Sequence, residues 1–359
     1  MIAKAELGNL NKLAKKLRAS RKSNGALSLA SLEIRFNIDS ETHDPINVEA
    51  KQVLETNSLV EEFMLLANCV VAQRIYEEFP SCALLRRHPV PPTSNYEPLV
   101  KAAASRGFEI LVDSGPALSQ SLERAKLPDN PYFNTMLRIL TTRCMTQAVY
   151  FCAGSVEKKQ FYHFGLASPI YTHFTSPIRR YADLMVHRFL ASAIHAHDTY
   201  SEMLDFEKQE SLCRNLNYRH KQAQLASRAS VLSNTHLFFK NKREDLEAYI
   251  LGVRRNALQV LVPKYGLESA VLLKKGQHPF TYDEQNGALT FNDICLRMFD
   301  KVTVQLSVDD TDPQHYKLKL QLVEPKVDNF SVEPLFDISA DDDVTNRREN
   351  EQPVKKFKK

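Results

Sequence analysis

Apolar positions recur at helical spacing most clearly between Glu49 and Phe79, where Val53, Leu54, Val60, Phe63, Met64, Ala67, Val70, Val71, Ile75 and Phe79 predict one long helix. Glu61, Leu65 and Asn68 fall on one side of it, at steps of four and three. A carboxylate and an amide among such neighbours are either mutually satisfied core groups or ligand contacts. Upstream, Leu7, Leu10, Leu13, Ala14 and Leu17 form one face of a basic amphipathic helix that ends near Ser23-Asn24-Gly25. Alternation from Ala26 to Ile38 predicts a strand or two, followed by a polar turn from Asp39 to Pro45. The acids and His43 of that turn lack the further ligands a metal site needs, so it reads as a hairpin turn.

Beyond Pro89, Pro91 and Pro92 the pattern predicts helices near Tyr96–Arg106, Ala117–Lys126 and Tyr132–Phe151, with an extended stretch from Gly107 to Asp113. A long helix follows over Ser211–Lys240, with Arg214, Lys221 and Arg228 one heptad apart on a solvated face or the wall of an anionic channel. Between Glu247 and Glu324 the helical period gives way to short runs, AYILGV, ALQVLVP, SAVLLKK, KVTVQLSV and HYKLKLQLVEP, which fit a five-stranded OB-type barrel. The last segment has almost no apolar content and is expected to be disordered. Its end, PVKKFKK, reads as a nuclear-import patch or a solvating basic tail.

Tyr171 to Leu190, YTHFTSPIRRYADLMVHRFL, carries the candidate chemistry. Ser176 is placed to cap a helix with Pro177 at its first position, and Ile178, Tyr181, Ala182, Met185, Phe189 and Ala193 would form its apolar face. Arg179 and Arg180 then lie in the first turn, where the helix dipole disfavours each exposed cation by roughly 0.3–1 kcal/mol. A bound phosphate would reverse that sign; pairing with Asp183 is the alternative.

Composition adds limits. A chain of 359 residues holds two or three domains, and 43% hydrophobic with 25% charged residues is ordinary for a globular protein. A formal charge of +4 is too small to identify a nucleic-acid partner, so any basic footprint must be local. Six cysteines without a CxxC pair argue for reduced thiols in an intracellular protein and against a zinc site. No run of about 18 apolar residues is present, so no helix is expected to span a membrane. The basic stretch Met1–Lys22 has the composition of an organelle transit peptide as well as that of an internal helix.

YTHFTSPIRRYADLMVHR, preceded by HFGLASPI and much earlier by EEFMLLANCVVA, resembles the catalytic RNB domain of ribonuclease II-type enzymes. It is most similar to the eukaryotic branch that forms the catalytic subunit of the RNA exosome, as are ETHDPI, ALLRRHPVPP and TRCMTQAVYFC. The resemblance covers about residues 8 to 324. It implies an α+β fold: residues 1–240 as the C-terminal part of an RNB domain, 246–324 as an OB-type RNA-binding domain of the ribosomal-protein type, and 325–359 as a disordered tail.

The activity so implied is processive hydrolytic 3'→5' degradation of single-stranded RNA to nucleoside 5'-monophosphates with magnesium, in RNA decay and ribosomal-RNA processing. Exosome core subunits are the implied protein partners, and the nucleus, with the cytoplasm as well, is the implied compartment. Arg179 occupies the position that contacts the scissile phosphate, and Glu61 the position near the 3'-terminal nucleotide. Asn68, Tyr171, His173, Ser176 and Arg180 are the further RNA contacts expected in the RNB part, and Arg254, Arg255 and Lys264 those in the barrel.

Three departures qualify the resemblance. The family's magnesium aspartates lie upstream of anything matched here, no CxDxDDA-like run is present, and Asp341-Asp342-Asp343 belongs to the tail, so no metal ligand is assigned in this chain. Upstream cold-shock-type barrels and an endonucleolytic domain are unmatched. Leu29 stands where bacterial relatives place a base-stacking phenylalanine. The expectation is that Met1 opens within the RNB domain, that the basic helix is internal, and that the chain alone is inactive, with exposed hydrophobic surface where strands are missing. The alternative is a non-catalytic RNA-binding or exosome-interaction module.

Overall fold

The computed structural model describes residues 2–28, 34–42, 44–50, 54–274, 276, 278–284, 286–309 and 317–335. Leu29, His43, Val53 and the tail with its aspartates and basic end lie outside the described residues. The described residues divide into two compact units, one of Met1–Phe238 with Pro263–Leu267 and one of Phe239–Val262 with Glu268 onward.

In the first unit, helix α1 (Ile2–Ser23) ends where Gly25 takes φ +97°, and Ala26 N donates back to Arg21 O at 3.0 Å. A Cβ at Gly25 would meet Pro116 at 2.5 Å, so glycine is required there by conformation and by the close approach of the next layer. Strands β1 (Ile34–Ile38) and β2 (Pro45–Ala50) form an antiparallel hairpin. Its turn is held by Asp39, whose Oδ1 accepts from Glu41 N at 2.7 Å and Thr42 N at 3.0 Å, in accord with the hairpin reading. Because β2 takes Glu49, helix α2 starts later than its apolar period suggests, at Glu55, and runs to Glu78.

α1 docks on α2 in a way its amphipathic pattern does not predict. Of the leucine face, Leu7, Leu10 and Leu13 are exposed and only Ala14 is fully buried. The contacts run through the polar edge instead: Lys15 pairs with Glu55, Arg18 donates to Ser58 and Arg21 to Glu62. Val60, Leu66 and Val70 of α2 are exposed as well, so apolar surface is left open on both helices.

Strand β3 (Leu84–Arg87) leads, through α3 (Glu97–Ala104), α4 (Gly115–Arg124) and α5 (Phe133–Cys144), to β4 (Val149–Cys152). Gly107–Asp113 makes no strand, and the end of the predicted Tyr132–Phe151 helix is β4, whose β-prone Val-Tyr-Phe pairs antiparallel with β3. On its other side β3 meets the Tyr171 segment, since Arg86 N donates to Tyr171 O at 2.8 Å and Thr172 Oγ1 to Leu84 O at 2.7 Å. Helices α6 (Tyr181–Ala193), α7 (Ser201–Leu204) and α8 (Phe206–Phe239) complete the unit. Ile75, Leu84, Leu85, Cys152, Val186 and Phe189 are fully buried in the core formed by α2, β3, β4 and α6. All six cysteines are free thiols. Arg214, Lys221 and Arg228 are exposed on α8.

In the second unit, β5 (Glu244–Arg254), β6 (Ala257–Val262), β7 (Leu267–Leu272), β11 (Lys301–Asp309) and β12 (Lys317–Glu324) close a barrel in the order β11-β12-β7-β6-β5. Ala248, Ile250, Leu258, Val304 and Leu306 fill it, and a register shift between Ile250 and Gly252 lets β5 bend. The five β runs are thus the five barrel strands. A small sheet of β8 (Thr281–Asp283), β9 (Ala288–Phe291) and β10 (Ile294–Leu296) is inserted between β7 and β11 without an expectation from the pattern. Residues 325–335, expected to belong to a disordered tail, pack on the barrel: Val327 is buried, Val332 N donates to Leu322 O at 2.9 Å, and Leu335 N to Asp245 Oδ2 at 2.6 Å.

Candidate functional site

The turn before α6 differs from its expected form. Arg179 N and Arg180 N both donate to Ser176 O, at 3.3 and 3.2 Å, and the helix begins only at Tyr181, with Arg180 as N-cap in extended geometry. Ser176 is therefore not the cap, Pro177 is not the first helical residue, and neither arginine sits in the first turn. Asp183 decides this geometry. Fully buried, it accepts the Ser176 N–H at 2.8 Å and holds Arg180 through Nε at 2.7 Å and Nη2 at 2.6 Å. A carboxylate in the first turn also suits the helix dipole. Ile178 (97% exposed) and Tyr181 (54%) leave the apolar face; Ala182, Met185, Val186, Phe189 and Ala193 form it.

The two adjacent arginines thus separate. Arg180 takes the ion-pair reading, whereas Arg179 is exposed and makes one long contact, Nη2 to Ser176 Oγ at 3.4 Å. A fork with its remaining donors uncommitted is chemically suited to a phosphate.

Glu61 and Asn68 separate too. Glu61 is exposed, with Arg21 Nη2 4.0 Å away, while the neighbouring Glu62 is 3% exposed and takes Arg21 on both oxygens, at 3.2 and 2.5 Å. Asn68 is a satisfied core group: its Nδ2 donates to Tyr171 Oη at 3.0 Å and its Oδ1 accepts from Phe174 N at 2.9 Å. It ties α2 to the Tyr171–Phe174 segment. Burial pushes the Tyr171 phenol up to about 12.

His173, on the same segment, is half-buried, and its Nδ1 lies 2.6 Å from Tyr150 Oη on β4. Burial, then the cations of Arg86 and Arg180, push it down to about 2. Arg86 is a component the sequence did not single out. It is 8% exposed, its guanidinium carbon lies 4.6 Å from the Tyr150 ring centroid, and its Nη1 has no hydrogen-bond partner. Two consecutive arginines in a buried apolar strand, Leu-Leu-Arg-Arg, were the available signal. His163 stacks edgewise on Tyr171 at 5.1 Å and is pushed down to about 3, mainly by burial.

In the barrel unit, Arg254 ends β5 and Arg255 stands in the turn to β6; both are exposed. Lys264, in the short helical turn after β6, places its Nζ 5.2 Å from the Tyr265 ring centroid. Among the described residues no group of three or more His, Cys, Asp or Glu side chains is placed to hold a metal ion, so the magnesium implied by the resemblance finds no fitting donor set there, and no chemical step is routed through it.

The RNB domain family matches residues 3–196 and the S1 domain family residues 244–322. Human exosome complex exonuclease RRP44 is 55% identical over 330 residues, which is 91% of this chain and 34% of that protein. The probable exosome complex exonuclease RRP44 of Caenorhabditis elegans is 52% identical over 336 residues, 93% of this chain and 35% of its own. The chain therefore spans about a third of the length of these relatives. The fold is shared with Mycoplasma genitalium RNase R without ligand (TM-score 0.74, 22% identity, 88% of this chain and 49% of that one) and with yeast Ssd1, a pseudonuclease (TM-score 0.69, 18% identity, 91% and 51%). With more than half of its residues matched by one domain family and a second domain following, the chain is a member of the RNB-domain family that carries an S1 domain.

Proposed function

We propose that this chain is the phosphate-contacting part of a 3'→5' exoribonuclease that degrades single-stranded RNA hydrolytically to nucleoside monophosphates within the RNA exosome. The observation that carries the reading is the separation of Arg179 from Arg180: one guanidinium is consumed by Asp183, and the other stands exposed on a turn built by the same carboxylate. A fixed cation beside a phosphorus centre where charge develops lowers the barrier by several kcal/mol in other systems, about 2.7–4 kcal/mol for one hydrogen-bond donor. In this reading Arg179 contacts the scissile phosphate and Glu61 the 3'-terminal nucleotide, His173 and the turn at Ser176 touch the strand, and Asn68, Tyr171 and Arg180 hold the contacting segment in place. The barrel supplies Arg254, Arg255 and Lys264 to the RNA backbone. Magnesium belongs to the complete enzyme, exosome core subunits are its protein partners, and the nucleus, with the cytoplasm as well, is its compartment, for RNA decay and ribosomal-RNA processing.

The chain alone is proposed to bind RNA without cleaving it, in keeping with the lack of a donor set for magnesium among its described residues. The purified chain, given magnesium and end-labelled single-stranded RNA, is expected to retain the strand and release no mononucleotide. Clear trimming would overturn the inactivity, and absence of binding would overturn the RNA reading. The same lack of a donor set favours a second reading, a non-catalytic RNA-binding or exosome-interaction module. Joining the upstream RNB segment of human RRP44 to this chain separates the two: trimming supports the nuclease, and RNA binding without trimming supports the module.

A further inference from the structure

Arg86 has no evident structural reason to be an arginine. It is nine-tenths buried on β3, no carboxylate among the described residues pairs with it, and its Nη1 is left without a partner. An uncompensated buried cation is costly, and an apolar side chain of similar volume would fill the same place more cheaply. What the guanidinium does touch is Tyr150, its cross-strand partner, over whose ring it lies at 4.6 Å. Tyr150 Oη in turn lies 2.6 Å from His173 Nδ1, and the two rings meet edge to face at 5.5 Å. His173 makes no hydrogen bond through Nε2 to any described residue.

We propose that Arg86 is a positioning residue for RNA binding: packed against Tyr150, it directs the Tyr150 proton to His173 Nδ1 and so leaves His173 with an Nε2–H as a fixed donor for an oxygen of the RNA strand. The ligand in this inference rests on the function proposed above; the placement of the proton does not. A neutral imidazole has one donor and one acceptor nitrogen, so a hydroxyl donating to Nδ1 puts the ring proton on Nε2. The opposite arrangement, with Nδ1–H donating to Tyr150 Oη, would set the oxygen's acceptor side in competition between the imidazole and the guanidinium. Arg86 also offsets part of the burial that raises the Tyr150 phenol, which makes the hydroxyl the readier donor.

The groups facing His173 agree. Arg86 from β3 and Arg180 from the start of α6 both oppose a positive imidazole, as do His163 from the loop before it and His220 from α8. Asp183, the nearby acid, is engaged by Arg180 and the Ser176 N–H. His173 is thereby a donor that keeps one protonation state across ordinary pH, where a titrating histidine would make RNA affinity vary.

The test uses the full chain labelled with 15N-histidine. The expected result for the unaltered protein is an Nε2–H tautomer of His173 that does not titrate between about pH 5 and about pH 8. In Arg86→Met the same ring is expected to titrate inside that window, and affinity for a short uridine oligomer to fall about threefold to tenfold at neutral pH, the range one hydrogen bond covers. Arg86→Lys, which keeps the charge, is expected to restore the non-titrating ring. An Nδ1–H tautomer, an ordinary titration in the unaltered chain, or a His173 signal unchanged in Arg86→Met would each overturn the proposal. Should Arg86→Met not fold, Tyr150→Phe serves: loss of the single tautomer supports the proposal and its persistence overturns it. An intact tautomer in a chain that binds no oligomer overturns the RNA function while the proton placement stands.

Discussion

Asp183 holds Arg180 with two hydrogen bonds, at 2.7 and 2.6 Å, and takes the Ser176 N–H at 2.8 Å, so one buried carboxylate shapes the whole turn that presents Arg179. Asp183→Asn leaves the guanidinium without its counter-charge in a half-buried place. Equilibrium urea unfolding is expected to show a loss of roughly 3–5 kcal/mol. A loss under about 1 kcal/mol, the scale of an exposed pair, would mean the pair does not hold the turn.

Arg179 makes no comparable contact, and its substitution is expected to act on chemistry. In a protein with a complete RNB domain, Arg179→Ala is expected to lower turnover about 100- to 1000-fold, as loss of one preorganised donor does elsewhere, while RNA affinity changes less than about threefold. Single-turnover rates set against filter-binding affinities distinguish this from a binding role, for which both would fall together.

Glu61 and Glu62 provide a paired comparison on one helix turn. Glu62→Gln removes the buried partner of Arg21 and is expected to cost about 3 kcal/mol, with α1 becoming open to proteolysis. Glu61→Gln, at an exposed position, is expected to stay within about 0.5 kcal/mol in the same unfolding measurement.

Acid should weaken the fold earlier than carboxylate protonation does. His163 and His173 are held neutral in the folded chain, down to about 3 and about 2 from an ordinary 6.5. Below 6.5 the unfolded chain takes up protons that the folded chain refuses, so the stability these groups contribute is complete above that pH and declines as the pH falls toward the folded values. Each is expected to remove about 1.4 kcal/mol per pH unit within that window. Denaturant unfolding followed from neutral to mildly acidic pH measures the slope, and His163→Gln should reduce it. A flat profile would contradict the burial of both rings.

In the barrel, alanine at Arg254, Arg255 and Lys264 is expected to weaken binding of single-stranded RNA. The slope of log affinity against log salt should fall by about 0.7 for each phosphate that is no longer neutralised. An unchanged slope would identify these residues as ordinary solvated surface.

Local periodicity was enough to reveal the five barrel strands, the hairpin turn at Asp39 and the existence of most helices, because each rests on neighbours two to four residues apart. Long motifs around Ser176–Asp183 and Glu61–Ala72 were enough for the family. Boundaries moved where a distant partner competed: Glu49 joined β2 against β1, Val149–Cys152 left a helix to pair with β3, and α6 began at Tyr181 because Asp183 reaches back to Ser176.

The sequence by itself determined which residue types stand beside one another in each motif; which of two identical neighbours does what was decided by tertiary structure. Arg179 and Arg180, or Glu61 and Glu62, are equivalent to any local rule. Successive helical side chains point about 100° apart, so docking of α1 buries Glu62 and leaves Glu61 in water. Arg180 is within reach of a buried carboxylate and Arg179 is not. Arg86, Tyr150 and His173 come from three separate segments and meet only because β3 pairs with β4 and the Tyr171 segment lies along β3. The physical reason is common to all of these: charge and hydrogen-bond partners act over a few ångströms in space, and only the packed fold sets which residues share that space.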